Sequence, residues 1–277
     1  MFILELIKSI VLGIVEGITE WLPVSSTGHL ILVEEFLKLN VSEEFKEMFN
    51  VVIQLGAILA VIILFWEKIW PFQTKEKGSI IKKDSMMLWL KIIVACIPAV
   101  ILVLLGLDEK CEEIFYHPIP IAIALIVVGI VFIVVECLRK GKEDKKDSLN
   151  DISFLQATLI GLFQLVAAVF PGTSRSGSTI IGGLSLGISR VTAAEFTFVL
   201  SIPVMAGASL LKLLDFGFDF ATTELVILLV GFLTAFVISL IVIKFLMSFV
   251  KKHDFKIFGY YRIALGVAVL LYFYLKK

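Results

Sequence analysis

The chain has 277 residues, 59% of them hydrophobic and 18% charged, with a mean hydropathy of +1.00. That is more apolar than a water-soluble globular domain tolerates. Its 25 basic and 25 acidic residues cancel, so no net field draws a nucleic acid, and what matters is where each charge lies.

The first stretch, 1–39, has neither a basic leader nor a small-residue cleavage site, and it reads as part of the mature fold rather than a removable signal. It is apolar but broken in its middle by Pro, Ser, Thr and Gly. A spanning helix needs about 20 mainly apolar residues. Segments 51–66, 88–107, 119–138, 196–214, 225–247 and 257–275 qualify, giving about six spans. Phe49, Trp66 and Trp70 flank the short first one as interfacial anchors. Lys91, Lys212, Lys244 and Arg262, within or near span ends, read as snorkelling cations, and Gln54 is a more central polar group. Cys96, Cys111 and Cys137 offer no CxxC pair and read as small packing residues.

Loop charge orients the spans, because Lys and Arg accumulate on the cytoplasmic side. Lys68, Lys75, Lys77, Lys82 and Lys83 lie in 67–87; Arg139, Lys140, Lys142, Lys145 and Lys146 lie in 139–153; Lys251, Lys252 and Lys256 lie in 248–256. The alternate loops 40–50, 108–118 and 215–224 hold only Lys46 and Lys110, and are assigned to the outside. Parity then makes 1–39 and the similarly broken stretch 154–190 two re-entrant helix-loop-helix hairpins entering from opposite faces. Irregular backbone at that depth is tolerated only where protein buries it or it lines a watery cavity, so both breaks are site candidates.

The two broken stretches resemble each other. An offset of 148 places Gly13 over Gly161, Glu16 over Gln164, Pro23 over Pro171, Ser25 over Thr173 and Ser26 over Ser174. The expected fold is therefore all-α, a single polytopic membrane domain over 1–277. Inverted-topology repeats occupy approximately 1–110 and 150–250, with 119–138 and 257–275 as additional spans.

In the first motif, Glu16-Gly-Ile-Thr-Glu20-Trp-Leu-Pro-Val-Ser25-Ser26-Thr27-Gly28-His29, the two glutamates are four apart and share one helix face. Carboxylates among apolar neighbours are costly without a partner, cation or water, although two solvated glutamates on an interfacial helix would also fit. Pro23 ends that helix and Ser25, Ser26 or Thr27 caps the next, leaving amide groups aimed into the break, an arrangement suited to an anion. Ser26 and His29 then lie three apart as a nucleophile and base; capping serines and a structural histidine are the bland alternative. In the second motif, Pro171-Gly172-Thr173-Ser174-Arg175-Ser176-Gly177-Ser178-Thr179, hydroxyls and amides can donate to phosphate oxygens and Arg175 offers a bidentate fork. Arg175 could instead bridge to Glu16 or Glu20.

These two motifs, EGITEWLPVSSTGH at 16–29 and PGTSRSGST at 171–179, resemble the signatures of the undecaprenyl-diphosphate phosphatase family of bacterial membranes, and length, span count and motif spacing agree over essentially the whole chain. The resemblance implies removal of the terminal phosphate of a C55 polyprenyl diphosphate, which recycles the lipid carrier for cell-wall synthesis and confers bacitracin resistance. It also implies a divalent cation, Mg²⁺ or Ca²⁺, and a multi-pass protein of the bacterial cytoplasmic membrane whose site opens to the extracytoplasmic face. On that reading Glu20, Ser26, His29 and Arg175 are catalytic, and Ser25, Thr27, Ser174, Ser176 and Thr179 bind phosphate. Glu16 and Glu20 hold the metal. Attack by Ser26 and attack by water activated at Glu20 or His29 both remain open. Substrate and membrane lipid are the expected partners, and the sequence leaves a homodimer open. A polyprenyl-phosphate transporter is the rival, because inverted repeats with broken helices are a transporter architecture.

Overall fold

The computed structural model describes residues 2–73, 80–141, 147–217 and 219–276. Lys75, Lys77, Lys142, Lys145 and Lys146, used above to orient the chain, lie outside them. The described residues are all-α apart from an isolated bridge between Phe72 and Ile81. In chain order the helices are α1 (Phe2–Thr19), α2 (Ser26–Phe36), α3 (Glu43–Val52), α4 (Gln54–Leu64), α5 (Trp66–Ile69), α6 (Lys83–Leu104), α7 (Leu107–Phe115), α8 (Pro118–Arg139), α9 (Phe154–Val169), α10 (Arg175–Ser185), α11 (Arg190–Phe216), α12 (Thr222–Val250) and α13 (Lys256–Leu275). Six crossings among the described residues are long and apolar enough for a membrane: Glu43–Leu64, which joins α3 and α4, and then α6, α8, α11, α12 and α13.

The first crossing differs from expectation, since most of the supposed outer loop 40–50 is helix α3. Ser42 caps it, its hydroxyl accepting from the Phe45 amide at 3.1 Å, and Glu43 and Glu44 suit the positive end of the helix dipole. Phe45, Met48, Phe49 and Val52 are buried at helical spacing, so the charged residues that imitate a loop are one face of an amphipathic helix. The loop 108–118 likewise contains α7.

In lipid an apolar side chain is as content outside the bundle as inside, so small residues mark the packed faces. On α8 the exposed Ile119, Ile123, Val127, Val134 and Leu138 form a lipid-facing stripe, while Ala122, Leu125, Gly129 and Phe132 face inward. A Cβ on Gly129 would stand 2.7 Å from the Gly259 carbonyl of α13, and one on Gly13 2.6 Å from the Gly231 carbonyl of α12. A still closer approach joins α9 to α6: a Cβ on Gly161 would meet the Ala95 carbonyl at 2.3 Å, much as one on Gly56 would meet the Phe232 carbonyl at 2.2 Å. Gly161→Val is therefore expected to push two backbones apart and cost about 1–3 kcal/mol. Thermal unfolding in detergent should show the drop, and an unchanged unfolding temperature would contradict this packing.

Both broken stretches double back. The Asn40 amide donates to Glu5 Oε2 at 2.8 Å, bringing the end of the first stretch to its beginning. Gln156 Nε2 donates to the Leu186 carbonyl at 3.3 Å and does the same for the second. At one end of the bundle Glu136 closes α8 by accepting from Arg190 at 2.6 Å and from the Phe255 amide at 3.0 Å. At the other end Lys276 and Tyr272 of the α13 terminus reach Glu35 of α2.

Two cations are not the interfacial anchors expected. Lys91 is buried and donates to the Asn150 carbonyl at 2.9 Å. Arg262 is 0% exposed at the centre of the molecule. Lys244 is exposed, and Lys212 is partly exposed and pairs with Glu47, as an anchor should be.

Candidate active site

The site is built where the two breaks meet. The turn that ends α1 carries Glu20, whose amide still bonds to the Glu16 carbonyl at 3.0 Å, so both carboxylates keep helical spacing. After Pro23 the chain turns through Ser25 at φ +74°, and the Ser25 hydroxyl accepts from the Gly28 amide at 3.3 Å to start α2. The second break repeats this: Ser174 at φ +72° accepts from the Gly177 amide at 3.2 Å to start α10. These are the only non-glycine positive φ angles among the described residues. Each costs on the order of 1–3 kcal/mol, a strain that clusters at functional sites.

The matching caps correct the alignment. Gly13 over Gly161 and Glu16 over Gln164 keep the offset of 148, but Ser25 corresponds to Ser174 and Gly28 to Gly177, one residue further on. The extra residue falls between Pro171 and Ser174, where Gly172 adopts φ +91°. Ser26 thus corresponds to Arg175, so the same first-turn position carries a hydroxyl in one half and a guanidinium in the other.

Those two side chains converge on Glu20. Arg175 Nη2 donates to Glu20 Oε1 at 2.7 Å, and the Ser26 hydroxyl donates to Glu20 Oε2 at 3.2 Å. Arg175 also donates to the Thr197 carbonyl at 3.2 Å, and Ser176 donates to the Glu20 carbonyl at 3.0 Å while lying 3.1 Å from the Ser174 hydroxyl. Thr179 is a step back, bonded to the Arg175 carbonyl at 3.0 Å and accepting from the Thr197 hydroxyl at 2.9 Å. Thr27 stands half-buried in the first turn of α2. Behind them Trp21, fully buried, packs edge-on against Phe198 at 5.2 Å and seals the inner wall.

The structure does not bring Ser26 to His29. The Nδ1–H of His29 donates to the Ser25 carbonyl at 2.7 Å, which turns the ring away and leaves Nε2 to accept from the Tyr261 hydroxyl, also at 2.7 Å. A local backbone carbonyl four residues back outcompetes the side chain three residues back.

Glu16 is 0% exposed, and neither carboxylate oxygen has a hydrogen-bond partner. An orphaned buried carboxylate one turn from Glu20 has the donor chemistry of a hard-cation site, so the residues present fit Mg²⁺ or Ca²⁺. No group of three or more His, Cys, Asp or Glu side chains gathers among the described residues, so substrate oxygens would complete the ligand set. Gln164, the counterpart of Glu16, is likewise buried with its amide unpaired.

Sequence reasoning passed over Thr197 and Tyr261, and it read Arg262 as an interfacial anchor. Arg262 donates through Nη1 to the Pro23 carbonyl at 3.1 Å, and through Nη2 to the Gly172 and Thr173 carbonyls, both at 2.7 Å. The available signal was its position between Gly259 and Gly266, which marks the packed face of α13 rather than its lipid face.

Fold and site together define an all-α polytopic membrane protein with a buried hydroxyl, carboxylate and guanidinium cluster between two helix starts, the equipment of a phosphate-processing site. The family model described as "Bacitracin resistance protein BacA" matches residues 9–268. The chain is 59% identical over 273 residues to an undecaprenyl-diphosphatase of Desulfitobacterium hafniense, covering 99% of this chain and 98% of that one. It is 58% identical over 277 residues to one of Lachnoclostridium phytofermentans, covering 100% of each, and 58% identical over 269 residues to one of Enterococcus faecalis, covering 97% of each. The chain belongs to the bacitracin resistance protein BacA family.

Proposed function

We propose that this chain hydrolyses undecaprenyl diphosphate to undecaprenyl phosphate and inorganic phosphate in the bacterial cytoplasmic membrane. The observation that carries this reading is the convergence of Arg175 and Ser26 on one carboxylate, Glu20. Relatives that are undecaprenyl-diphosphatases over their full length supply the substrate. The two broken stretches are re-entrant hairpins of an inverted repeat, and the site between them opens to the extracytoplasmic face, as the family resemblance implies.

The diphosphate enters with its charge at the starts of α2 and α10, where first-turn amides and the Thr27 hydroxyl donate to phosphate oxygens, and Ser174 and Ser176 do so by exchanging their present hydrogen-bond partners. Arg175 exchanges Glu20 for those oxygens and spreads its fork over two of them. Ser26 Oγ, already bonded to Glu20 Oε2 at 3.2 Å, loses its proton to that carboxylate and attacks the terminal phosphorus. The bond from that phosphorus to the bridging oxygen breaks, and undecaprenyl phosphate departs with the oxygen. Water then cleaves the phosphoserine, restoring Ser26 and releasing phosphate. His29 is held by Tyr261 and the Ser25 carbonyl rather than serving Ser26 directly. Glu16 and Glu20 would hold Mg²⁺ or Ca²⁺, which would neutralise phosphate charge as a Lewis acid.

Phosphate release from C55 polyprenyl diphosphate by the purified protein tests this reading. Chelating divalent cations is expected to slow release by about 100-fold or more, with recovery on adding Mg²⁺ or Ca²⁺. Full activity in excess chelator would remove the cation from the proposal.

A further inference from the structure

We propose that Arg262 is a positioning residue for the hydrolytic site, fixing the distance between the two helix breaks so that Ser26 and Arg175 address the same phosphate. The proposal rests on the hydrolase reading above, and its geometry stands independently. Arg262 belongs to α13, outside both broken stretches, and its guanidinium is completely buried. It donates to three backbone carbonyls, one from the first break (Pro23) and two from the second (Gly172 and Thr173), at 3.1, 2.7 and 2.7 Å. These carbonyls lie one or two residues before the strained serine caps, where the chain has left one helix and not entered the next. In the membrane interior such carbonyls have no water to bond, so each break needs an internal donor. One planar group supplies both.

The surroundings are shaped for it. A Cβ on Gly177, in the first turn of α10, would stand 3.2 Å from Arg262 Nη1, and a Cβ on Gly129 of α8 3.3 Å from Arg262 Cβ. The stem therefore runs over Gly129 and the fork passes beneath Gly177, positions where any larger residue would crowd it. The neighbouring Tyr261 bonds to His29, so α13 places consecutive residues on the far side of α2 and between the breaks. Arg262 itself touches neither Glu20 nor Ser26 in any hydrogen bond and acts through the backbone that carries them. A lysine has the charge but one compact donor group, which can serve one break and not both.

The test compares wild type with Arg262→Lys and Arg262→Gln, reading kcat and KM for C55 diphosphate, unfolding temperature, and hydrogen exchange of peptides spanning 20–30 and 170–180. For positioning, the Lys variant should remain folded, lose about 100-fold in kcat with KM changed by no more than about threefold, and exchange faster at both breaks together. A purely structural role would lower the unfolding temperature and the active fraction while the folded protein kept its kcat. The proposal is overturned if folded Arg262→Lys retains kcat within about threefold, or if faster exchange is confined to one break. Should the Gln variant not fold, the Lys variant decides alone. Absence of phosphate release from wild type would sink the hydrolase reading, while the exchange measurement would still judge the coupling of the two breaks.

Discussion

Arg175→Ala is expected to slow phosphate release from C55 polyprenyl diphosphate by about 1,000-fold, the largest effect of any single change in the second break. The guanidinium has two employments in one place. It balances Glu20 at 2.7 Å and it is anchored to the Thr197 carbonyl at 3.2 Å, so its fork is already oriented when phosphate arrives. Its removal takes away transition-state charge stabilisation and also leaves a buried carboxylate without a counter-ion, so part of the loss appears as weaker binding. Arg175→Lys keeps the charge but not the second donor, and should recover only a fraction of the rate. If either variant, properly folded, turns over at the wild-type rate, the anion site lies elsewhere. If folded wild type releases no phosphate at all, the transporter becomes the leading reading.

Glu20→Gln is the second large effect, about 1,000-fold in kcat, and it is chemically the more informative. Glutamine is nearly isosteric, but its single carbonyl oxygen can accept from only one of Ser26 and Arg175, its NH2 accepts from neither, and it cannot take a proton. A loss of kcat with little change in unfolding temperature therefore separates the carboxylate's chemical work from packing. Combining it with Ser26→Ala discriminates between routes. When two groups act as one unit their losses do not add, so the double variant should be no slower than the worse single one. Additive losses, or near-normal turnover by Ser26→Ala, would transfer the attack from Ser26 to water. Radiolabel retained on Ser26 after a quench would establish the serine route directly.

Much of this site is visible in the linear chain because the membrane makes polar residues conspicuous. Glu16, Glu20, Ser26 and Arg175 stand out against apolar neighbours, and strong helix-breaking signals at Pro23 and Pro171 locate the turns. Six crossings could be placed for the same reason, although the charged face of α3 passed for a loop. Two kinds of information were hidden. Which partner a side chain chooses is decided by competition among groups at hydrogen-bond range, and the Ser25 carbonyl takes His29 from Ser26 by a margin that spacing does not encode. Long-range pairing was the other: Arg262 is separated from Pro23 by 239 residues, and a cation in a span reads as snorkelling until its helix face is known. The one-residue shift that pairs Ser26 with Arg175 was also concealed, because a flanking proline match held the alignment in the wrong register until the two caps could be compared.

The way α1 is braced carries a consequence for how the protein is made. Its buried Ser9 donates to the Ile227 carbonyl of α12 at 2.7 Å, and Gly13 lies against Gly231 of the same helix. A ribosome adding about 5–20 residues per second needs roughly 10–40 s to travel the roughly 200 residues between these partners. Through that interval α1 has α2 and α4 beside it but lacks the helix against which Ser9 and Gly13 pack. α1 is thus synthesised well before the helix that houses it, and its packing is completed only once α12 has been made.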